Sequence, residues 1–405
     1  MKIKTLFSPK PLHPIQMGWF ILIELLLLFG ETFSKFHLFG PFHLFDFSFL
    51  LLAGWSAWYY FKQPRAFLVW PVLFILGFSV IYLIYSYLAQ LGPVNYMVRQ
   101  YAMFVYMGGS WLLFASFISP EYQKFNVRFI ALMGLAAVGL QLIYHAYLFL
   151  FTDDFSLFGA FNYYNKMAVM ALIVAGAYGL VYFNKSWQKI GFGLLYLLLT
   201  TTLGHSSAFL AAFFVLTAYI VLKANKLIKI AGLGLIVVAL VVFVLYLPQF
   251  SDHNAEWRMV FWKVSLKEII VDKSAILGHG FGVPYSSQQV LDMFRESLNS
   301  PWFEVRPEEQ YLSPMHNSFI TLAFHLGLIP ALFIVVPLIP AFNYLFFAAP
   351  GEHLPRLDFL VLALLGASVW ASFNVVLELP HSSTFYWLIY FTLVYNLRTR
   401  QSLPV

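Results

Sequence analysis

His316-Asn317-Ser318-Phe319 opens an apolar run that passes through Gly327-Leu328-Ile329-Pro330 and continues unbroken to about Phe347. That is the length a helix needs to cross a hydrocarbon core of roughly 30 Å. The run reads as one tilted helix, or as a short and a longer piece broken near Pro330. In front of it stands the only long hydrophilic stretch of the chain, from about Pro248 to Ser313 and closing at Met315. A polar insertion that ends abruptly on a membrane-length run sets the reading of the whole chain.

Composition extends it. Hydrophobic residues make up 61% of the 405 residues, charged residues only 10%, and phenylalanine alone numbers 45. A soluble domain of this length does not need that much apolar surface. Apolar runs of about 17–25 residues recur along the chain, and about twelve can be placed. They begin near Met17, Phe47, Phe67, Asn95, Phe129, Tyr163, Trp187, Ser207, Leu227, His316, Phe359 and Thr384. The expected fold is all-α: one polytopic membrane domain over residues 1–405, with about twelve transmembrane helices and one large extracytoplasmic loop over 248–315 containing short helices.

Lysine and arginine in the short loops give the orientation. With Lys2, Lys4 and Lys10 in the cytoplasm, the pairs Lys62/Arg65, Lys124/Arg128, Lys185/Lys189 and Arg398/Arg400 fall on the same side, as do Lys223, Lys226, Lys229 and Arg356. The opposite short loops hold little beyond Lys35, Arg99 and Lys166. Both termini are therefore expected in the cytoplasm and the insertion outside. The net charge of +6 is a topology signal and not a footprint for nucleic acid. There are no cysteines, which excludes disulfide frameworks, cysteine nucleophiles and thiolate metal sites. No small-residue cleavage site follows the first apolar run, so that run is expected to remain as an anchor.

Within the insertion, Asp252 to Val271 reads as an amphipathic helix. Trp257, Val260, Phe261 and Val264 recur at helical spacing, with Arg258, Lys263 and Lys267 between them. Leu277-Gly278-His279-Gly280-Phe281-Gly282 interrupts it and lacks the strand-turn-helix context of a dinucleotide fingerprint. A second helical piece is expected from Ser287 to Leu298. Arg99, Asn165, Lys166, His205, Ser206, Ser207, His316, Asn317 and Glu378 all map to outer helix ends. Each has a dull alternative: Arg99 as a snorkelling side chain, Lys166 and His205 as loop residues, His316 and Asn317 as an interfacial pair or a helix cap. Their segregation to one face, beneath one large loop, is the stronger signal. Glu24, His145 and His325 lie deeper in their runs.

Ionisable groups in membrane segments usually face a cavity or a partner. Arginine suits phosphate or pyrophosphate, because its planar fork gives paired charge-assisted hydrogen bonds, and Arg258 and Arg99 are the available forks. A histidine at the loop border has a near-neutral pKa suited to proton transfer. No Asp-x-Asp pair occurs in an outer loop and the histidines lack zinc spacing, so a metal-free reaction without a cofactor is expected.

Four stretches together resemble the O-antigen ligase and polymerase family of bacterial membrane glycosyltransferases. Phe158-Gly159-Ala160-Phe161-Asn162-Tyr163-Tyr164-Asn165-Lys166 looks like the family's glycine-phenylalanine-asparagine entry to a middle span. Gly204-His205-Ser206-Ser207-Ala208 stands where the family shows serine-arginine-glycine-alanine. Arg258 to Trp262, with Leu277 to Gly282, looks like its arginine-x-x-x-tryptophan and leucine-glycine-x-glycine elements. His316-Asn317 followed by nine residues and Gly327 resembles its loop-closing motif. The likeness covers roughly Phe158 to Pro340. Ser206 replaces the family's arginine, and Pro330 stands where a small or polar residue is usual.

The resemblance implies a glycan donor on undecaprenyl pyrophosphate, transferred at the outer face of the bacterial inner membrane to a hydroxyl of lipid A-core or of a growing polysaccharide. It implies catalytic roles for Arg258, on pyrophosphate, and for His316, which activates or orients the acceptor hydroxyl. Substrate-binding roles fall to Arg99, Asn165, Lys166, His205, Ser206, Trp262, His279 and Asn317. Membrane lipids are the surrounding partners, and nucleic acid is not one. Between Pro248 and Met315 acidic residues outnumber basic ones nine to six, which leans towards a less anionic acceptor. Two other readings remain open. A lipid-linked oligosaccharide flippase would show internal repeats and a charged site near the midplane. A peptidoglycan-type polymerase would carry a catalytic acid in its main outer loop.

Overall fold

The computed structural model describes residues 12–39, 42–62, 67–151, 166–201, 206–223, 234, 253–273, 275–298, 306–348 and 352–401. Its elements in chain order are α1 (Pro14–Ser34), a two-stranded antiparallel hairpin of β1 (His37–Phe39) and β2 (Phe42–His43), α2 (Leu44–Lys62), α3 (Trp70–Leu88), α4 (Val94–Ala115), α5 (Pro120–Phe151), α6 (Lys166–Tyr182), α7 (Ser186–Thr201) and α8 (Ser206–Lys223). Then come α9 (His253–Lys267), running on into a wider turn at Glu268–Asp272, α10 (Gln288–Leu298) and α11 (Glu309–Leu312). The chain closes with α12 (Ser318–Leu326), α13 (Leu328–Leu332), α14 (Ile339–Phe347), α15 (Pro355–Ala371) and α16 (Pro380–Gln401).

The described residues are predominantly helical, as the apolar periodicity requires. Helices cover or closely follow most of the positions where the apolar runs begin, while Tyr163 and Leu227 lie outside the described residues. Among the described residues, four helical stretches are long and apolar enough to cross a membrane: Pro14–Ser34, Trp70–Leu88, Glu121–Phe151 and Leu328–Phe347. Lys166–Tyr182 and Ser207–Lys223 are apolar but shorter.

The core is built on α6, α15 and α16. The α6 segment from Val169 to Ala177 is buried on every side, and so is almost the whole of α16 from His381 to Val394. A helix that is apolar all round is stable only when other helices surround it. Accordingly α6 packs on α5, α7, α8 and α15, while α16 packs on α1, α4 and α15. The peripheral helices turn large apolar side chains outward, among them Leu51, Trp58, Phe61, Ile81 and Leu88. Such a perimeter suits a bilayer and would be costly in water.

The run that follows His316 is broken, and the break falls at Gly327 rather than at Pro330. Gly327 adopts φ 95°, and a Cβ there would run into the Ile276 carbonyl oxygen of the glycine-rich loop. Opposite it, a Cβ on Gly278 would strike the backbone of His325 and Leu326. Two glycines thus let two backbones cross in contact, and only glycine fits there. Pro330 sits in the first turns of α13, where a missing N–H is tolerated. His316 therefore precedes a short helix packed on α3 and α9, and the membrane-length stretch begins one element later.

Candidate functional site

Asn317 is the N-cap of α12. Its backbone is extended, and its side-chain oxygen accepts hydrogen bonds from the N–H groups of Phe319 and Ile320, both at 3.1 Å. The cap reading thus holds for Asn317. His316 stands one residue outside the helix in a left-handed conformation, φ 49°, and its N–H donates to the Pro314 carbonyl at 2.7 Å. For a residue with a Cβ this backbone costs of the order of 1–3 kcal/mol, and such residues concentrate at functional sites. Helix α9 meets this turn at two residues. The Trp257 ring meets the imidazole edge-on at 4.9 Å, and the Trp262 indole N–H donates to the Met315 carbonyl at 2.5 Å.

The amphipathic helix of the insertion is therefore the element that fixes His316. Of the four apolar positions in the sequence pattern, Phe261 and Val264 are buried and Trp257 and Val260 are half-buried. Arg258 follows Trp257 and lies with its guanidinium 5.6 Å from that ring. Lys166, the first residue of α6, is within electrostatic reach of Arg258 and Lys35 and of the carboxylates Glu31 and Glu378.

Glu378 belongs to the connection between α15 and α16. Its Oε2 accepts the Ser318 hydroxyl proton at 2.5 Å, and Ser318 Oγ in turn accepts from the N–H groups of Val376 and Leu377 at 2.9 and 3.0 Å. Asn374 donates to Ser207 Oγ at 3.0 Å. The first turns of α8 and α12 are thereby pinned to one connection, with Glu378 beside the His316-Asn317 turn. Burial raises the Glu378 carboxyl above the usual carboxylate range, and the Ser318 hydrogen bond opposes that rise.

A cavity of about 200 Å³ opens in front of Glu378. Lys35, Asp46, Arg99, Tyr106 and His381 contribute its polar walls. Helix α1 breaks at Gly30, φ 50° and ψ −125°, before the segment that carries Glu31, Ser34 and Lys35. Ser34 Oγ lies 3.2 Å from His381 Nδ1, and Glu31 pairs with Lys35. Asp46 accepts from Tyr106 Oη at 2.6 Å and from the His43 N–H at 3.0 Å. Among the described residues no group of three or more His, Asp or Glu is placed to hold a metal ion.

The sequence-derived candidates divide accordingly. Arg258 and Lys166 lie within electrostatic reach of each other, Trp257 next to Arg258 packs on His316, and Trp262 holds Met315, two residues before the capping Asn317. Arg99 lines the cavity next to Glu378. Ser206 opens α8, while Asn165 and His205 lie outside the described residues. His279 is placed differently. Its ring stacks on Phe324 at 4.2 Å and 8°, its N–H donates to the Phe324 carbonyl at 2.7 Å, and burial lowers its pKa to about 4.

The whole glycine-rich stretch is a plug into the helices. Gly278 N–H donates to Tyr82 Oη, Phe281 N–H to Ser86 Oγ and Gly282 N–H to Gln100 Oε1, all within 2.7–2.9 Å. His325 completes it, with Nδ1 at 2.7 Å from the Gly280 carbonyl and Nε2 at 3.1 Å from Tyr285 Oη. Glu31 and Asp46 are site residues that the sequence reading passed over, and Glu378 it placed only at a helix end. The signal for them is a carboxylate beside an apolar run, at the helix ends that the charge bias expects outside. Glu24, by contrast, is exposed on α1. No family model matches the chain, and no curated protein sequence matches it.

Proposed function

We propose that the protein is a metal-independent membrane glycosyltransferase of the O-antigen ligase and polymerase kind. It transfers a glycan from undecaprenyl pyrophosphate to an acceptor hydroxyl, on lipid A-core or a growing polysaccharide, at the outer face of the bacterial inner membrane. On this reading about twelve spans carry the site, both termini are cytoplasmic and 248–315 is the outer loop. The observation that carries it is the strained His316, packed edge-on against Trp257, the neighbour of Arg258 in sequence, with the preceding Met315 carbonyl held by Trp262.

The chemistry then divides by residue. Arg258, with Lys166 in its field, meets the negative charge that develops on the leaving pyrophosphate. His316 faces the acceptor hydroxyl, to activate or orient it. Trp257 and Trp262 hold the geometry.

Arg258→Lys tests the donor half. It keeps the charge and loses the paired donors, so transfer from purified lipid-linked donor should fall by the equivalent of about 2–4 kcal/mol, with membrane insertion unchanged. Wild-type turnover in that variant would remove Arg258 from the reaction.

A further inference from the structure

We propose that Glu378 is the proton acceptor for the attacking hydroxyl, and that the cavity in front of it holds the sugar ring bearing that hydroxyl. The proposal rests on the transferase reading above. Three observations lead to it.

Glu378 is anchored by one oxygen only. Oε2 takes the Ser318 hydroxyl, while Oε1 is buried and makes no well-aligned hydrogen bond: the nearby Thr321 hydroxyl donates to the Asn317 carbonyl instead, and the Glu378 N–H lies close by. A buried carboxylate oxygen without a donor is costly, and a bound hydroxyl supplies the missing one. Second, Glu378 lines a cavity with room for a single sugar ring, whose walls carry the acceptor Asp46 together with Arg99, Lys35 and His381. That mixture matches a neutral polyhydroxyl ring. A phosphate would meet two carboxylates there. Third, Ser318 lies in the same turn as His316, and Lys166 reaches both Glu378 and Arg258 electrostatically. Arg258, Lys166 and His316 do not line the cavity, and the Ser318 turn and the field of Lys166 are what link it to them.

The step balances without any co-reactant. The acceptor oxygen bonds to the anomeric carbon of the donor as its proton passes to Glu378 Oε1. The bond from that carbon to the pyrophosphate oxygen breaks, and the electron pair stays on pyrophosphate beside Arg258. Glu378 later returns its proton to water. His316 then has the orienting role.

The groups that set the titration of Glu378 are Ser318 and Thr321 of α12, Lys166 of α6 and Tyr285 of the large loop. Across the cavity stand Lys35 of α1, Asp46 of α2, Arg99 of α4 and His381 of α16. The carboxylate is the active form, so transfer is lost as pH falls through its pKa.

Glu378→Gln and Glu378→Asp decide the matter, in purified protein supplied with lipid-linked glycan extracted from the cells that express it natively. Glu378→Gln still accepts the Ser318 bond, so its melting temperature and donor binding should match wild type. Its transfer should fall by about 10²–10⁴-fold. The acid limb of kcat/KM should move in Glu378→Asp and vanish in Glu378→Gln. Transfer by Glu378→Gln within a few-fold of wild type overturns the proposal and leaves the transferase reading intact. If Glu378→Gln does not fold, an unmoved acid limb in folded Glu378→Asp overturns it equally. Absence of transfer by wild type sinks the transferase reading first, and this inference with it.

Discussion

His316 pays a conformational cost that its helix does not require, since Asn317 alone supplies the cap. A residue held in the left-handed region by neighbours on another element is placed for its side chain. Replacing His316 by alanine should therefore cost transfer and little stability. About 10²-fold or more in turnover is the size expected for losing an orienting group. His316→Gln keeps a hydrogen-bonding side chain that cannot carry a proton at neutral pH, and it should retain a substantial part of the rate. Rates measured per folded molecule separate the two variants. Full turnover in His316→Ala would remove the histidine from the reaction. The motif that carries this residue was legible because histidine and asparagine at a loop-helix border are unusual in so apolar a chain. The strain is not legible, because the residues that pack on this turn, Trp257 and Trp262, stand far upstream in sequence.

At the scale of elements, the sequence reading succeeded where burial pattern alone decides and failed where two backbones meet. The helix after Asp252 and the piece ending at Leu298 follow from spacing, and α9 and α10 occupy them. The glycine-rich loop looked like part of a substrate site, yet its N–H groups are taken up by Tyr82, Ser86 and Gln100, on helices nearly two hundred residues away. Nothing local in the sequence announces those partners. The break at Gly327 has the same origin, because it depends on Ile276 across the crossing. His279 gives this element a pH dependence. Its pKa falls from the ordinary 6.5 to about 4, chiefly by burial, so the folded state holds the neutral ring. Between those values the unfolded chain binds the extra proton, and stability drops as pH falls from 6.5 towards 4. His279→Phe preserves a ring against Phe324 and cannot titrate. Its melting temperature should therefore decline less than that of wild type over that window. Equal declines in the two proteins would show that the loop is not buried around a neutral histidine.

For the whole molecule, the distribution of charge and the distribution of polar contacts agree. Glu378, Arg99, His316 and Arg258 cluster towards one end of the helices, where the large insertion packs on α3 and α4 through Tyr82, Ser86 and Gln100. At the other helix ends Lys223 pairs with the buried Asp358, which also accepts from Tyr344 Oη at 2.6 Å, and Arg400 pairs with Glu352. Those are the ends that the lysine and arginine bias assigns to the cytoplasm. If the bias sets the orientation, the insertion and the cavity are outside and the C-terminal tail is inside. The chain has no cysteine, so single cysteines report without background. One placed at Ser287, in the insertion, should react in intact cells with a membrane-impermeant thiol reagent. One placed at Ser402, in a separate protein, should react only after the membrane is opened. Labelling of the Ser402 position in intact cells would reverse the orientation, and with it the claim that the cavity beside Glu378 draws its substrates from the outer leaflet.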